Sequence, residues 1–242
     1  MRMIPADQIN KINKANLPKH IAFSIHGVEE YAKNNNLKLN NAVDDAFSVV
    51  EELVKSQTEL DIPIFTFYVL NNENKKQEFN FSSILDGFVR FITSSDFNNL
   101  IRKYKIKTTF LGKWYDLPDY AVNAIKKILD ETKEYDSFFL NFCINYSGKG
   151  EIIDAVKLIA KNVEQRRISS DSIDQNYLKE NLYSSYFIPP ELYLIIGNKN
   201  KNSGLLLWDS ENSSTIFISK PFPDFNREEF MKVIKRHQLN LY

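Results

Sequence analysis

The sequence predicts an α/β fold built on a mainly parallel sheet covered by helices on both faces, and three observations carry that reading. Short, nearly continuous apolar runs alternate along the chain with longer segments of helical periodicity. Strands and helices in such alternation imply a mainly parallel sheet covered on both faces. Each run also ends in glycine, asparagine or another polar residue, where a parallel sheet places its ligand crevice. No repeat and no linker divides the chain, and 242 residues suffice for one large core, so residues 1–242 are read as a single domain.

The elements follow in order. "HIAFSI" reads as a buried strand, running at His26-Gly27 straight into a polar, helix-like stretch. "AVDDAFSVVEELVKSQTEL" is helical, with apolar positions at Val43, Phe47, Val50, Leu53 and Val54. "IPIFTFYVL" is a strand of β-branched and aromatic residues. "FSSILDGFVRFITSSDFNNLIRKY" reads as one helix striped by Ile84, Leu85, Phe88, Phe91 and Ile92. "IKTTFLG" is a strand, and Pro118 opens the helix of "LPDYAVNAIKKILDETKEY". "SFFLNFCINYS" is a strand, followed by helices in "GEIIDAVKLIAKNVEQR" and "DSIDQNYLKENLY". Of the short segments "ELYLIIGN", "GLLLWDS" and "TIFIS", the outer two are strand-like, and "NREEFMKVIKRHQ" is a closing helix. The strand ends that line a crevice are then His26-Gly27, Asn71 to Asn74, Gly112-Lys113, Asn145 to Lys149 and Gly197 to Ser203.

Composition narrows the function classes. With 31 basic and 31 acidic residues the formal charge is zero, which disfavours a nucleic-acid or other polyanion binder. Seven glycines argue against several glycine-rich nucleotide loops. Cys143 is the single cysteine, so there is no internal disulfide, and its apolar run makes it an inert buried thiol. The start lacks the apolar core of a signal peptide, and no run reaches the length of a membrane span, so the expectation is a cytoplasmic protein.

Several stretches resemble one family. "LPKHIAFSIHGVEEYAKNNNL" is similar to LPxHIAxIMDGNxRWAxxxGL, the N-terminal signature of the cis-prenyltransferases, the undecaprenyl diphosphate synthase family. "FTFYVLNNENK" resembles LTLYAFSTENW, and "TTFLGKWYDLP" resembles IRFIGDxxxLP. "LNFCINYSGKGEIIDAVK" resembles LNxAxNYGGRxEIxxAxx, the most specific of these matches. "ENLYSSYFIPPELYLII" is similar to xxLYTxxxPDPDLLIRT, and "LLLWDS" and "FPDF" to FLLWQxxY and WPDF. The resemblance implies a six-stranded, mostly parallel sheet and an apolar tunnel for an isoprenoid tail. It also implies a dimer, and a reaction that joins an allylic diphosphate to isopentenyl diphosphate with magnesium.

The departures concentrate on the groups that would hold diphosphate and magnesium. The family's catalytic Asp falls on His26, while the next Gly is kept as Gly27; Asn, a small residue, Arg and Trp become Val28, Glu29, Glu30 and Tyr31. An Arg and a His further along fall on Leu39 and Val43. In the second motif Ser becomes Asn71 and Trp becomes Lys75, with Glu73 and Asn74 kept. In the RxSGExRxSxF block, Ile195, Asn198, Lys199 and Lys201 replace Arg, Gly, Glu and Arg, and Ser203 remains. A magnesium-holding Glu falls on Ser214. Bidentate Arg–phosphate pairs are strong and geometrically demanding, so these losses weigh against ordinary chain elongation.

The candidate catalytic residues are His26 and Asn74. His26 has the chemistry of an acid, a base or a metal ligand near neutral pH, and drift after loss of function is the other reading. The candidate substrate-binding residues are Gly27, Val28, Glu29, Glu30, Asn71, Glu73, Lys199, Lys201 and Ser203, with Phe47, Val50, Leu85 and Phe88 for an apolar tail. Glu29 and Glu30 either join His26 at a cation or are water-facing first-turn carboxylates. Asp44-Asp45 reads as solvated helix face, Lys149 as structural, and His20 and His237 carry no signal. No metal-ligand set is assigned, and magnesium stays open because its family ligands fall on His26 and Ser214. Two functions follow. One is a diverged isoprenoid enzyme that cyclises a prenyl diphosphate or prenylates an unusual acceptor. The other is a non-catalytic homologue that binds lipid or pairs with an active cis-prenyltransferase. A homodimer is expected, with a heteromer as the alternative.

Overall fold

The computed structural model describes residues 12–13, 16–71, 78–197 and 203–239, with the side chains of 71, 78 and 79 outside that description. Six strands form one sheet in the order β3-β4-β2-β1-β5-β6. They are β1 (His20–Ile25), β2 (Ile64–Asn71), β3 (Ile106–Leu111), β4 (Phe138–Tyr146), β5 (Leu192–Ile196) and β6 (Ser214–Ile218). Every pairing is parallel, so the sheet is wholly and not just mostly parallel.

Helices follow the strands as the periodicity predicts. Helix α1 (Val28–Asn34) leads into α2 (Leu39–Leu60), which buries Val43, Phe47, Val50, Leu53 and Val54. Helices α5 (Asp119–Thr132), α6 (Gly148–Glu164) and α8 (Arg227–Gln238) correspond to three more periodic segments. Two differ from expectation. The long helix predicted over 81–104 is two, α3 (Glu78–Thr93) and α4 (Ser95–Tyr104). Ser94 explains the break, since its hydroxyl accepts from the Phe97 amide and starts a new helix. The segment "DSIDQNYLKENLY" holds only a short α7 (Gln175–Glu180), capped by Asp174 on the Tyr177 amide at 2.7 Å.

One face of the sheet carries the larger core. Phe23, Phe65, Phe67 and Phe142 pack there with Phe88 and Phe97 of the covering helices, all fully buried. Each such ring contributes about 1.5–3 kcal/mol by leaving water. The other face packs Ala22, Tyr68, Cys143, Tyr146, Tyr193 and Ile195 under Leu205 and Leu206. Cys143 is fully buried there, and burial raises its thiol well above the usual range.

A polar belt crosses four strands. Thr109 donates to Asn141 Oδ1 at 2.5 Å, and Asn141 Nδ2 donates to Thr66 Oγ1 at 3.0 Å. Thr66 and His20 Nε2 meet at 2.8 Å, and His20 Nδ1 meets the Ile188 carbonyl at 2.6 Å. The carbonyl only accepts, so Nδ1 carries the proton and Nε2 accepts from Thr66. His20, silent in the sequence, is thus the end of a satisfied buried network.

The chain leaves β1 towards β2 on one side and leaves β5 towards β6 on the other. Adjacent strands whose connections diverge open a crevice at their carboxyl ends. Between β1 and β5, that crevice lies at His26, Gly197 and Ser203. Among the described residues, no helix is long and apolar enough to cross a membrane.

Candidate active site

Backbone geometry pins the corner after β1. The His26 amide donates to the Ile196 carbonyl at 2.8 Å, and the Phe222 amide donates to the His26 carbonyl at 3.0 Å. Gly27 follows with φ 84°, the left-handed region that glycine enters freely. A Cβ on Gly27 would sit 2.9 Å from Pro221 Cα, so the turn needs glycine sterically as well. Gly197 clears the room for the imidazole, since a Cβ there would lie 2.4 Å from His26 Cβ. His26 itself is half-buried.

Hydroxyl groups back the imidazole. Ser24 Oγ is 2.9 Å from His26 Nε2 and donates to Ser203 Oγ at 2.7 Å. Ser203 Oγ in turn meets the Tyr193 hydroxyl at 2.8 Å. Burial pushes the Tyr193 phenol up to about 12, so it stays protonated at neutral pH. Of these residues only His26 and Ser203 were singled out from the sequence. Ser24 interrupts an apolar strand two residues before His26, on the same face.

The "NYSGKGE" segment holds the loop that carries Ser203. Tyr146 donates to Glu151 at 2.5 Å and accepts from the Leu206 amide at 3.1 Å. Glu151 also accepts from the Ser184 amide at 3.1 Å, and burial raises its carboxyl above the usual range. Gly148 approaches the Gly204 carbonyl so closely that a Cβ would come within 2.1 Å.

The acidic residues singled out from the sequence follow on α1 and α2. Gly27 caps α1 without a side-chain bond, and Glu29 and Glu30 occupy the first turn, where the helix dipole favours carboxylates. Exposed Glu29 accepts from Asn80 at 2.7 Å. Asp44 pairs with Arg90 at 2.6 Å on the surface, and Asp45 accepts from Tyr31 at 3.2 Å. Among the described residues no group of three or more His, Cys, Asp and Glu could hold a metal. Magnesium seeks several oxygen ligands, carboxylates foremost, and an imidazole backed by hydroxyls does not fit it. Ser214 begins β6 at the opposite end of the strand from the crevice. Ile195, at a family arginine position, is fully buried in the sheet.

An apolar pocket of about 70 Å³ opens near the same end of β1. Val28, Val43, Ala46, Phe47, Val50 and Ile84 line it, together with Ile25 and Val69. Leu85 and Phe88 do not; they sit in the packed core beside it, 1% and 0% exposed. Phe47 stacks on Phe91 at 5.2 Å and tilts against Phe88 at 5.8 Å, so this wall of the pocket is aromatic core. Asn71 ends β2, and its side chain lies outside the described residues, as do Glu73, Asn74, Lys199 and Lys201.

The family model Prenyltransf, for undecaprenyl diphosphate synthase, matches residues 25–240. The chain belongs to that family. A Micrococcus luteus member, a ditrans,polycis-undecaprenyl-diphosphate synthase specific for (2E,6E)-farnesyl diphosphate, is 31% identical over 237 residues, covering 95% of this chain and 92% of its own. A Thermoplasma volcanium tritrans,polycis-undecaprenyl-diphosphate synthase, specific for geranylgeranyl diphosphate, is 29% identical over 235 residues, covering 95% and 90%. The crystal structure of lavandulyl diphosphate synthase from Lavandula x intermedia, in complex with dimethylallyl diphosphate, superimposes with TM-score 0.86 at 21% identity. It covers 92% of this chain and 95% of that one, and shares its fold. The expected cis-prenyltransferase architecture is therefore the one present.

Proposed function

We propose that this chain is a prenyl-diphosphate enzyme whose polar end is run by His26 and not by a carboxylate. The carrying observation is that Ile25 and Val28, which line the apolar pocket, flank His26-Gly27 in the chain. One strand end thus offers an apolar wall and a titratable imidazole to a ligand with an apolar tail and a polar head. In the reaction, the C–O bond of the allylic diphosphate breaks with its electron pair leaving on oxygen. His26 gives that oxygen a proton. The allylic cation is captured by an acceptor, or by its own double bond with loss of a proton. The relatives' names support diphosphate substrates and point to ordinary polyprenyl synthesis. The replaced clamp residues favour cyclisation or transfer to another acceptor.

A working homodimer fits the exposed apolar face of α6 and α7. Ile153 and Val156 of α6, and Ile173 just before α7, are exposed there, beside an apolar groove reaching Trp208. The setting we propose is cytoplasmic.

The pocket's size favours a second reading. At about 70 Å³ it is small beside the roughly 300–1,000 Å³ of an ordinary ligand site. Phe47 of its wall stacks on Phe91, and a non-catalytic partner of an active cis-prenyltransferase needs no longer pocket. Product analysis separates the two. Wild-type and His26→Gln protein are incubated with dimethylallyl, geranyl, farnesyl and geranylgeranyl diphosphates, with and without isopentenyl diphosphate and magnesium. Products that vanish in His26→Gln support the enzyme. Inert wild-type protein that stimulates an added cis-prenyltransferase supports the partner.

A further inference from the structure

The apolar pocket lies at the corner after β1. Val28 and Val43 line it, at positions where the resembled family carries Asn and His. Two polar positions have thus become valines. Leu85 and Phe88, by contrast, are closed into the core. The apolar space is therefore at the corner itself, about 70 Å³ of it.

One contact bounds that space. Helix α2 presents Val43, Ala46, Phe47 and Val50 to the pocket, a single helix face at spacings of three and four. Helix α3 presents Ile84, and Gly87 lies three residues on, along the same face. Gly87 is buried, and a Cβ there would lie 2.3 Å from Val43 Cγ1 and 3.5 Å from Phe47 Cε2. A methyl group of Val43 therefore fills the place that a side chain would take on α3. The contact that sets the spacing of the two helices is made by a residue of the pocket wall. A valine in a helix keeps one χ1 rotamer in about 90% of cases, so Val43 does not turn aside for a ligand.

We propose that Val43, seated against Gly87, is a specificity-determining residue that limits the ligand's apolar group: the pocket at the corner accepts the short dimethylallyl or geranyl group and disfavours farnesyl and longer chains. This deepens the prenyl-diphosphate reading above and rests on it.

The test is calorimetric titration of the full chain with the S-thiolodiphosphate analogues of dimethylallyl, geranyl and farnesyl diphosphates, whose C–S bond does not break. The head group is common to all three, so the ratio of affinities reports the tail. Wild type should bind the dimethylallyl and geranyl analogues more tightly than the farnesyl one. Val43→Ala, two carbons smaller, should raise the affinity for the farnesyl analogue relative to the dimethylallyl one by about tenfold, the worth of roughly two buried methyl groups. Val43→Ile, one carbon larger, should move the ratio the other way, and it serves alone if Val43→Ala does not fold. A merely structural Val43 would weaken all three analogues alike. Wild type that binds the farnesyl analogue as tightly as the shorter ones, or a ratio unmoved in the variants, would overturn this inference and leave the enzyme standing. No binding of any analogue would overturn the function proposed above and this inference with it.

Discussion

Acid should unfold this protein through His20. Its imidazole is buried at the start of β1, and its pKa falls from 6.5 to about 4, chiefly because burial disfavours the charged ring. The Ile188 carbonyl and Asp209 oppose that fall, and Lys179 adds to it. The unfolded chain therefore binds a proton below about pH 6.5, whereas the folded chain resists until about pH 4. The contribution is fully present above 6.5 and is lost as pH falls towards 4. At about 1.4 kcal/mol per tenfold in proton affinity, the loss comes to about 3 kcal/mol, a large share of an ordinary domain's 5–15 kcal/mol. Urea unfolding from pH 7.5 to 4, compared between wild type and His20→Gln, isolates the effect, because the other titrating groups are common to both. Wild type should lose about 3 kcal/mol more than the variant over that range. Curves that fall in parallel would refute the reasoning.

Two further substitutions test the corner and the pocket. Gly197→Ala places a methyl 2.4 Å from His26 Cβ at a residue with φ 137°. It should cost about 1–3 kcal/mol in urea unfolding and displace the His26 resonance. Phe47→Ala should destabilise by about 3–5 kcal/mol, and by removing a ring from the pocket wall it should let farnesyl diphosphate bind more tightly relative to dimethylallyl diphosphate in calorimetry.

The fold could be read because a parallel sheet writes itself locally, as strands apolar on both faces divided by striped helices. The break at Ser94 is not legible in the sequence because the apolar stripe runs on through it, and only the cap bond to Phe97 marks it. His26 and Gly27 stood out as a corner by chain order alone. Ser24 and Tyr193 did not, because their meaning depends on which strands are neighbours. Strands β1 and β5 lie some 170 residues apart in sequence but side by side in the sheet. The same holds for His20, whose partners Thr66 and Ile188 come from distant segments.

The central claim is that His26 serves a prenyl diphosphate, and release of diphosphate from dimethylallyl and geranyl diphosphates tests it most directly. Wild-type protein should release it with turnover, and His26→Gln, folded as judged by its unfolding curve, should do so at least about 100-fold more slowly, the usual worth of a positioned acid. Equal release by both proteins, or none from wild type with any of the prenyl diphosphates, would contradict the account.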